Sequence, residues 1–211
     1  MPESLITTII SAISILLGAT IGAICSWRIN KITTLKNIEV QTKIVKENRQ
    51  LEEKMNHKNL CAYANIVRLD ICTAIFESID NLRILTHNTK NQFPIYIPVN
   101  GEYSKAIVSL TGIFDLKEMS YLYQLYGIIE KINYDMKNFN YTSEDMYELI
   151  KIDCEIFLKK LYGKNFNKIL EKDIKDISYK DLFNNNIIKE GYKNVLLKLE
   201  EICESPINNF V

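Results

Sequence analysis

The sequence carries no net charge: 26 Lys and Arg balance 26 Asp and Glu across 211 residues. A dedicated nucleic-acid binder needs a basic excess to neutralise phosphates, so no nucleic acid is expected as a partner. Glycine is scarce, with seven residues scattered at positions 18, 22, 101, 112, 127, 163 and 191. None builds a phosphate-cradling loop, which excludes the P-loop and dinucleotide-binding patterns. There are two histidines, His57 and His87, and any histidine chemistry must use one of them. The five cysteines, Cys25, Cys61, Cys72, Cys154 and Cys203, are odd in number and form no C-x-x-C pair. They read as reduced thiols in a reducing compartment.

Charge is also absent locally. Ser4 to Trp27 is a run of 24 residues without a charged side chain, carrying ten Leu or Ile and seven Ser or Thr. As a helix it would extend about 36 Å, more than the roughly 30 Å hydrocarbon core of a bilayer. Each hydroxyl can bond to a carbonyl one turn earlier, which limits its cost in lipid. A cleaved signal peptide would want a basic start and a shorter apolar core, yet only Glu3 precedes the run. The expectation is a retained anchor.

The flanks give an expected orientation. Arg28, Lys31 and Lys36 follow the run, so the positive-inside rule puts the N-terminus outside and the rest of the chain in the cytoplasm. Trp27 suits the membrane interface. Between Arg28 and Lys58, eight Lys or Arg face four Glu, and this basic excess would sit near anionic headgroups. Within the run, Ser14, Gly18, Gly22 and Ser26 recur at every fourth position, and Gly18 with Gly22 makes a G-x-x-x-G. Small residues at this spacing let two helices approach closely, although Gly and Ser are also common in membrane helices generally.

Beyond the anchor the chain reads as helix. Ile32, Leu35, Ile38, Val45, Leu51 and Met55 form a rough stripe interrupted by Thr42 and Asn48. A short coiled coil and an amphipathic surface helix are both consistent with it. Leu60, Tyr63, Val67, Ile71, Ala74, Ile75, Leu82 and Leu85 continue the helical period. Phe93-Pro94-Ile95-Tyr96-Ile97-Pro98-Val99 cannot be helix, because each proline drives its predecessor extended. It reads as an extended arm, or one short strand, closing at Asn100-Gly101. A helix is expected over 102–113. The next starts at an Asp115/Glu118 capping box and runs to about Phe139. Another begins at Thr142 or Ser143 and stops at Gly163. A short turn of helix opens at Ser178 with Asp181, and a last helix covers about 186–204.

Chemical constellations are sparse. His57 and Cys61, four apart on one helix face, are half a zinc site with no second pair. Acidic clusters at Glu144-Asp145-Glu148, Asp173-Asp176 and Glu200-Glu201-Glu204 lack the alternating oxygens of a calcium loop and read as solvated faces. Arg83 and His87 are similar to the arginine–histidine motif of HEPN-type ribonucleases, but they stand too close together and Ile84 replaces its polar residue. That activity is not implied. Twelve tyrosines, with Tyr121, Tyr123 and Tyr126 crowded on one helix and Tyr134 and Tyr141 following, suit core edges or a docking surface.

The expected fold is mostly α: a transmembrane anchor over 1–28, a basic helical stalk over 29–58, and an irregular helical bundle over 59–211 with one proline-containing arm. The expected function is a single-pass, self-associating interaction or scaffold protein, not an enzyme. No catalytic residue, cofactor or metal is expected. The candidate site residues are the association stripe (Ser14, Gly18, Gly22, Ser26) and the interface residues (Trp27, Arg28, Lys31, Lys36). The partners expected are the bilayer and either a second copy or another protein. A membrane-perturbing effector and a metal-dependent hydrolase of unfamiliar type are the alternatives. The layout resembles singly anchored helical proteins of bacteria and their mobile elements, and it implies no activity.

Overall fold

A computed structural model describes residues 2–86, 94–139, 144–171 and 177–204. Among them there is helix and turn but no strand. The first helix, α1, covers Pro2–Thr86 without a break. No Gly or Pro falls between Arg28 and Leu60, so every backbone N–H from anchor to domain has a carbonyl one turn back. The chain divides into two compact units, Met1–Lys54 and Met55–Val211.

In the first unit every side chain from Ile6 to Glu52 is exposed. This stretch contains the one segment among the described residues that is long and apolar enough to cross a membrane, with a mean hydropathy of 2.2 over its most apolar window. The expected back-bonding is present where Ser14 Oγ donates to the Ile10 carbonyl at 2.8 Å and Thr20 Oγ1 to that of Leu17 at 2.9 Å. Downstream, Lys43 pairs with Glu47 and Arg49 with Glu53 one turn apart, as on a solvated helix surface.

In the second unit α1 becomes a core helix. Ala64, Val67, Ile71, Ala74, Ile75 and Ile79 are each fully buried. Around it lie α2 (Tyr103–Ser109), α3 (Leu116–Lys137), α4 (Glu144–Tyr162), a 3-10 turn (Gly163–Asn165), α5 (Asn167–Leu170), α6 (Tyr179–Phe183) and α7 (Glu190–Glu204). Helix α3 packs on both α4 and α7, and α6 packs on α7.

Several boundaries follow from the caps read in the sequence. Asp115 accepts from the Glu118 N–H at 2.7 Å while Glu118 accepts from the Asp115 N–H at 2.8 Å, closing the box that starts α3. Ser178 and Asp181 do the same for α6. Gly163 ends α4 at φ +62°, a left-handed geometry that glycine adopts without strain. The start expected at Thr142 or Ser143 lies outside the described residues, as do His87, Phe93 and the Asp173–Asp176 pair.

Three expectations need correction. The helix expected over 102–113 is only Tyr103–Ser109, after which the chain turns over 110–113. The last helix starts at Glu190 rather than near 186, because Asn185 Oδ1 accepts from the N–H groups of both Ile187 (2.8 Å) and Ile188 (3.0 Å) and holds a turn there. Lys189 N–H then donates to the Leu161 carbonyl at 2.8 Å, pinning that turn to the end of α4. Finally, the cysteines are not all reduced: Cys61 on α1 and Cys203 on α7 are disulfide-bonded with Cα atoms 4.8 Å apart. They are 142 residues apart in sequence, so spacing gave no hint of the pair. Cys72 and Cys154 remain free and buried, and Cys25 free and exposed.

The described part of the proline-containing arm, residues 94–100, is neither helix nor strand, and it finds its partners in side chains. The Asn81 carboxamide both accepts from Ile95 N–H (2.6 Å) and donates to the Ile95 carbonyl (2.8 Å). Asn133 does the same for Ile97, at 3.0 and 2.8 Å. Each amide thus supplies the donor and acceptor that a neighbouring strand would supply. Pro94 and Pro98 bring no N–H to satisfy. At the arm's end Asp70 accepts from Asn100 N–H at 3.1 Å and from the Tyr126 hydroxyl at 2.9 Å. Replacing Asn133 by Leu leaves two backbone groups of the buried Ile97 without partners. It should cost about 2–4 kcal/mol of stability by thermal or denaturant unfolding. Asn133→Asp sets a carboxylate against the buried Ile97 carbonyl and should also destabilise. Equal stability of Asn133→Leu and wild type would show that the clamp does not hold the arm.

Candidate functional site

The residues singled out in the sequence all lie on the first unit's exposed helix. Successive members of Ser14, Gly18, Gly22 and Ser26 are four residues apart, so each step turns only about 40° around the helix and the four form one slowly winding stripe. A Cβ built at Gly18 or Gly22 meets nothing within 4 Å. The glycines are therefore not needed for packing within the chain. At the end of the run, the Lys31 ammonium sits 5.3 Å from the centre of the Trp27 ring, a cation–π contact between two of the residues expected at the membrane interface. Arg28 and Lys36 are exposed beside them.

In the second unit two polar assemblies stand out that sequence reasoning did not nominate. The first lies between α3 and α4, where Lys131 Nζ is 2.9 Å from Asp135 Oδ2 and 2.5 Å from Asp153 Oδ2. Asp153 is buried and Asp135 nearly so. Burial raises the pKa of Asp153, the hydrogen bond to Asp135 raises it further, and Lys131 pulls it back only partly. Burial also acts to raise Asp135, but hydrogen bonds from Asp153 and Lys131 outweigh it and its pKa falls. The fold thus pushes the two carboxyls in opposite directions, Asp153 up by burial and Asp135 down by its hydrogen bonds.

The second assembly lines a cleft of about 590 Å³ where α1, α6 and α7 meet. Arg68 from α1 and Lys180 from α6 approach the same oxygen of Glu200 on α7, at 3.7 and 3.4 Å. The disulfide lies nearby on both sides, Cys61 seven residues or about two turns before Arg68 and Cys203 three residues or about one turn after Glu200. Asn65 Nδ2 points at Cys61 Sγ, 3.6 Å away. Burial pushes the thiol of Cys72, in the cleft wall, up to about 12, so it is neutral.

The half zinc site suggested by His57 and Cys61 is not available while Cys61 is tied to Cys203. Among the described residues no group of three or more His, Cys, Asp and Glu is placed to hold a metal. The tyrosines divide: Tyr126 is buried against Tyr103 with ring centres 4.5 Å apart, whereas Tyr123 and Tyr134 are exposed. Gly191 lies against the Tyr121 ring, where a Cβ would approach to 2.8 Å, so a larger residue there would displace the end of that ring.

The missed residues did leave a signal. Val67, Ile71, Ala74, Ser78 and Asn81 continue one stripe at steps of three and four, as do Tyr126, Ile129 and Asn133 on α3. A polar residue in phase with an apolar stripe is buried, and the carboxamides of Asn81 and Asn133 in these stripes find their partners in the arm. No protein-family model, curated protein or solved structure matches the chain.

The carboxylate pair makes stability depend on pH. Because Asp153 is raised in the fold, its contribution is complete in acid and is lost as pH rises from about 4 through the raised value. Asp135, being lowered, contributes above the ordinary carboxylate range and is lost as pH falls. Asp153→Asn keeps a donor towards Asp135 but removes the titration. Melting followed by circular dichroism from about pH 4 to 8 should show the variant gaining on wild type as pH rises. A constant difference between the two would mean that the fold does not raise Asp153.

Proposed function

We propose that the chain is a membrane-anchored helical interaction module that self-associates through its membrane helix. The observation that carries this reading is the exposure of every side chain from Ile6 to Glu52, apolar run included, beside a second unit with an ordinary buried core. Exposed apolar residues such as Ile15 and Leu16, 71% and 66% accessible, are costly in water and favourable in lipid. Lipid does not supply the van der Waals contact that a second helix can make across Gly18 and Gly22, and that is the basis for self-association. Since nothing within the chain crowds those glycines, Gly18→Leu with Gly22→Leu leaves the single helix intact and blocks only close approach. Crosslinking in native membranes should give dimers or larger species for wild type and monomer for the double variant. Crosslinked species that persist unchanged in the variant would sink the stripe as the contact.

The orientation we propose has the second unit in the cytoplasm, on the strength of Arg28, Lys31 and Lys36. A second reading, with that unit exported, is favoured by the Cys61–Cys203 disulfide, because such bonds persist in oxidising compartments. A green fluorescent protein fused to the C-terminus fluoresces only when cytoplasmic, while thiol alkylation of whole cells reports the state of Cys61 and Cys203. Fluorescence with alkylatable thiols supports the cytoplasmic orientation. A dark fusion with protected cysteines supports export.

A further inference from the structure

We propose that the cleft between α1, α6 and α7 is a binding site for a small aromatic anion, an aryl phosphate or aryl carboxylate. Its volume, about 590 Å³, falls within the usual range for small-molecule sites and is too small for a folded partner. The charges set the sign of the ligand. Arg68 and Lys180 converge on Glu200, so two cations face one carboxylate and the cleft keeps one positive charge in excess. Both ion pairs are long. At 3.7 Å the Arg68 contact is beyond hydrogen-bonding distance, which leaves guanidinium N–H groups for a planar or tetrahedral anion. The Lys180 side chain is 57% accessible and can swing to a second anion oxygen.

The walls select the rest of the molecule. Leu69 is 56% exposed and Tyr179 50% exposed, both lining the cleft with Phe183. Tyr179 is held by an edge-on contact with Phe76, ring centres 5.1 Å apart, which leaves half of the residue open to pack on a second ring. An anion without an apolar body would leave Leu69 and Tyr179 in water. An apolar body without charge would leave the Arg68–Lys180 pair with only Glu200.

The test is isothermal titration of the detergent-solubilised full chain with phenyl phosphate, alongside inorganic phosphate and phenol. Phenyl phosphate should bind at one site per chain, at least tenfold more tightly than either control. Lys180→Ala, a substitution at an exposed position, should weaken it about tenfold, as expected for one charge-assisted hydrogen bond. Arg68→Gln should weaken it at least as much, with the far-ultraviolet circular dichroism spectrum confirming that the variant is folded. Equal affinities for phenyl phosphate and inorganic phosphate would overturn the proposal, and so would unchanged binding in Lys180→Ala. The absence of any saturable heat with the wild-type chain would overturn it as well.

Discussion

Several of the second unit's long-range polar ties are anchored at successive points along α1. Cys61 is bonded to Cys203, Arg68 approaches Glu200, Asp70 receives Asn100 and Tyr126, and Asn81 holds Ile95. Two residues on, Arg83 Nη2 donates to the Leu170 carbonyl at 2.8 Å. The buried stripe from Ala64 to Leu82 supplies the apolar surface, but that surface is non-directional and would accept other registers. The polar ties are directional. Together they fix which residue of α3, α5, α7 and the arm stands opposite which turn of α1, so the placement of the cleft and of the arm depends on them.

The arm shows why such ties are needed. A segment with two prolines cannot join a helix, and the unit offers it no strand, yet Ile97 is wholly buried and brings its backbone N–H and carbonyl inside. Leaving that pair without partners would cost several kcal/mol, a large share of a domain's net stability. A carboxamide is the side chain that offers one donor and one acceptor at the spacing of a peptide group, and asparagine stands at both contact points. Aspartate would supply acceptors alone, and leucine neither. The identity of residues 81 and 133 is therefore dictated by the arm's backbone, and the arm's extended path by Pro94 and Pro98.

Local features of this chain were legible in the sequence because their causes are local. The Asp115 and Ser178 capping boxes and the stop at Gly163 depend on residues three or four positions apart, and all stand where read. The charge-free run is legible because length and composition alone decide whether a helix can cross a bilayer. What was lost depends on distance along the chain. The Cys61–Cys203 pair, the Asp70–Tyr126 bond and the Lys131–Asp153 contact join residues whose proximity exists only after folding. The late start of α7 was hidden differently: Asn185 competes for the N–H groups that a helix from 186 would have used, and helical periodicity does not record that competition.

The two indicators of compartment pull apart, and the fold explains why both can be present in one chain. In the orientation we propose, the basic flank would act at insertion into the membrane, whereas the cysteines meet only once α1 and α7 have packed. That packing does not rest on the sulfur bond. Val195, Leu196, Leu199 and Ile202 of α7 are buried, and Arg68 reaches Glu200 one turn from the bond. A chain with Cys61 and Cys203 reduced therefore keeps α7 against α1 by apolar burial and charge. What the bond adds is a covalent closure of the 142-residue interval, which acts mainly by restricting the unfolded chain. The folded geometry of the cleft is thus the same argument in either compartment, and only the cost of opening it differs.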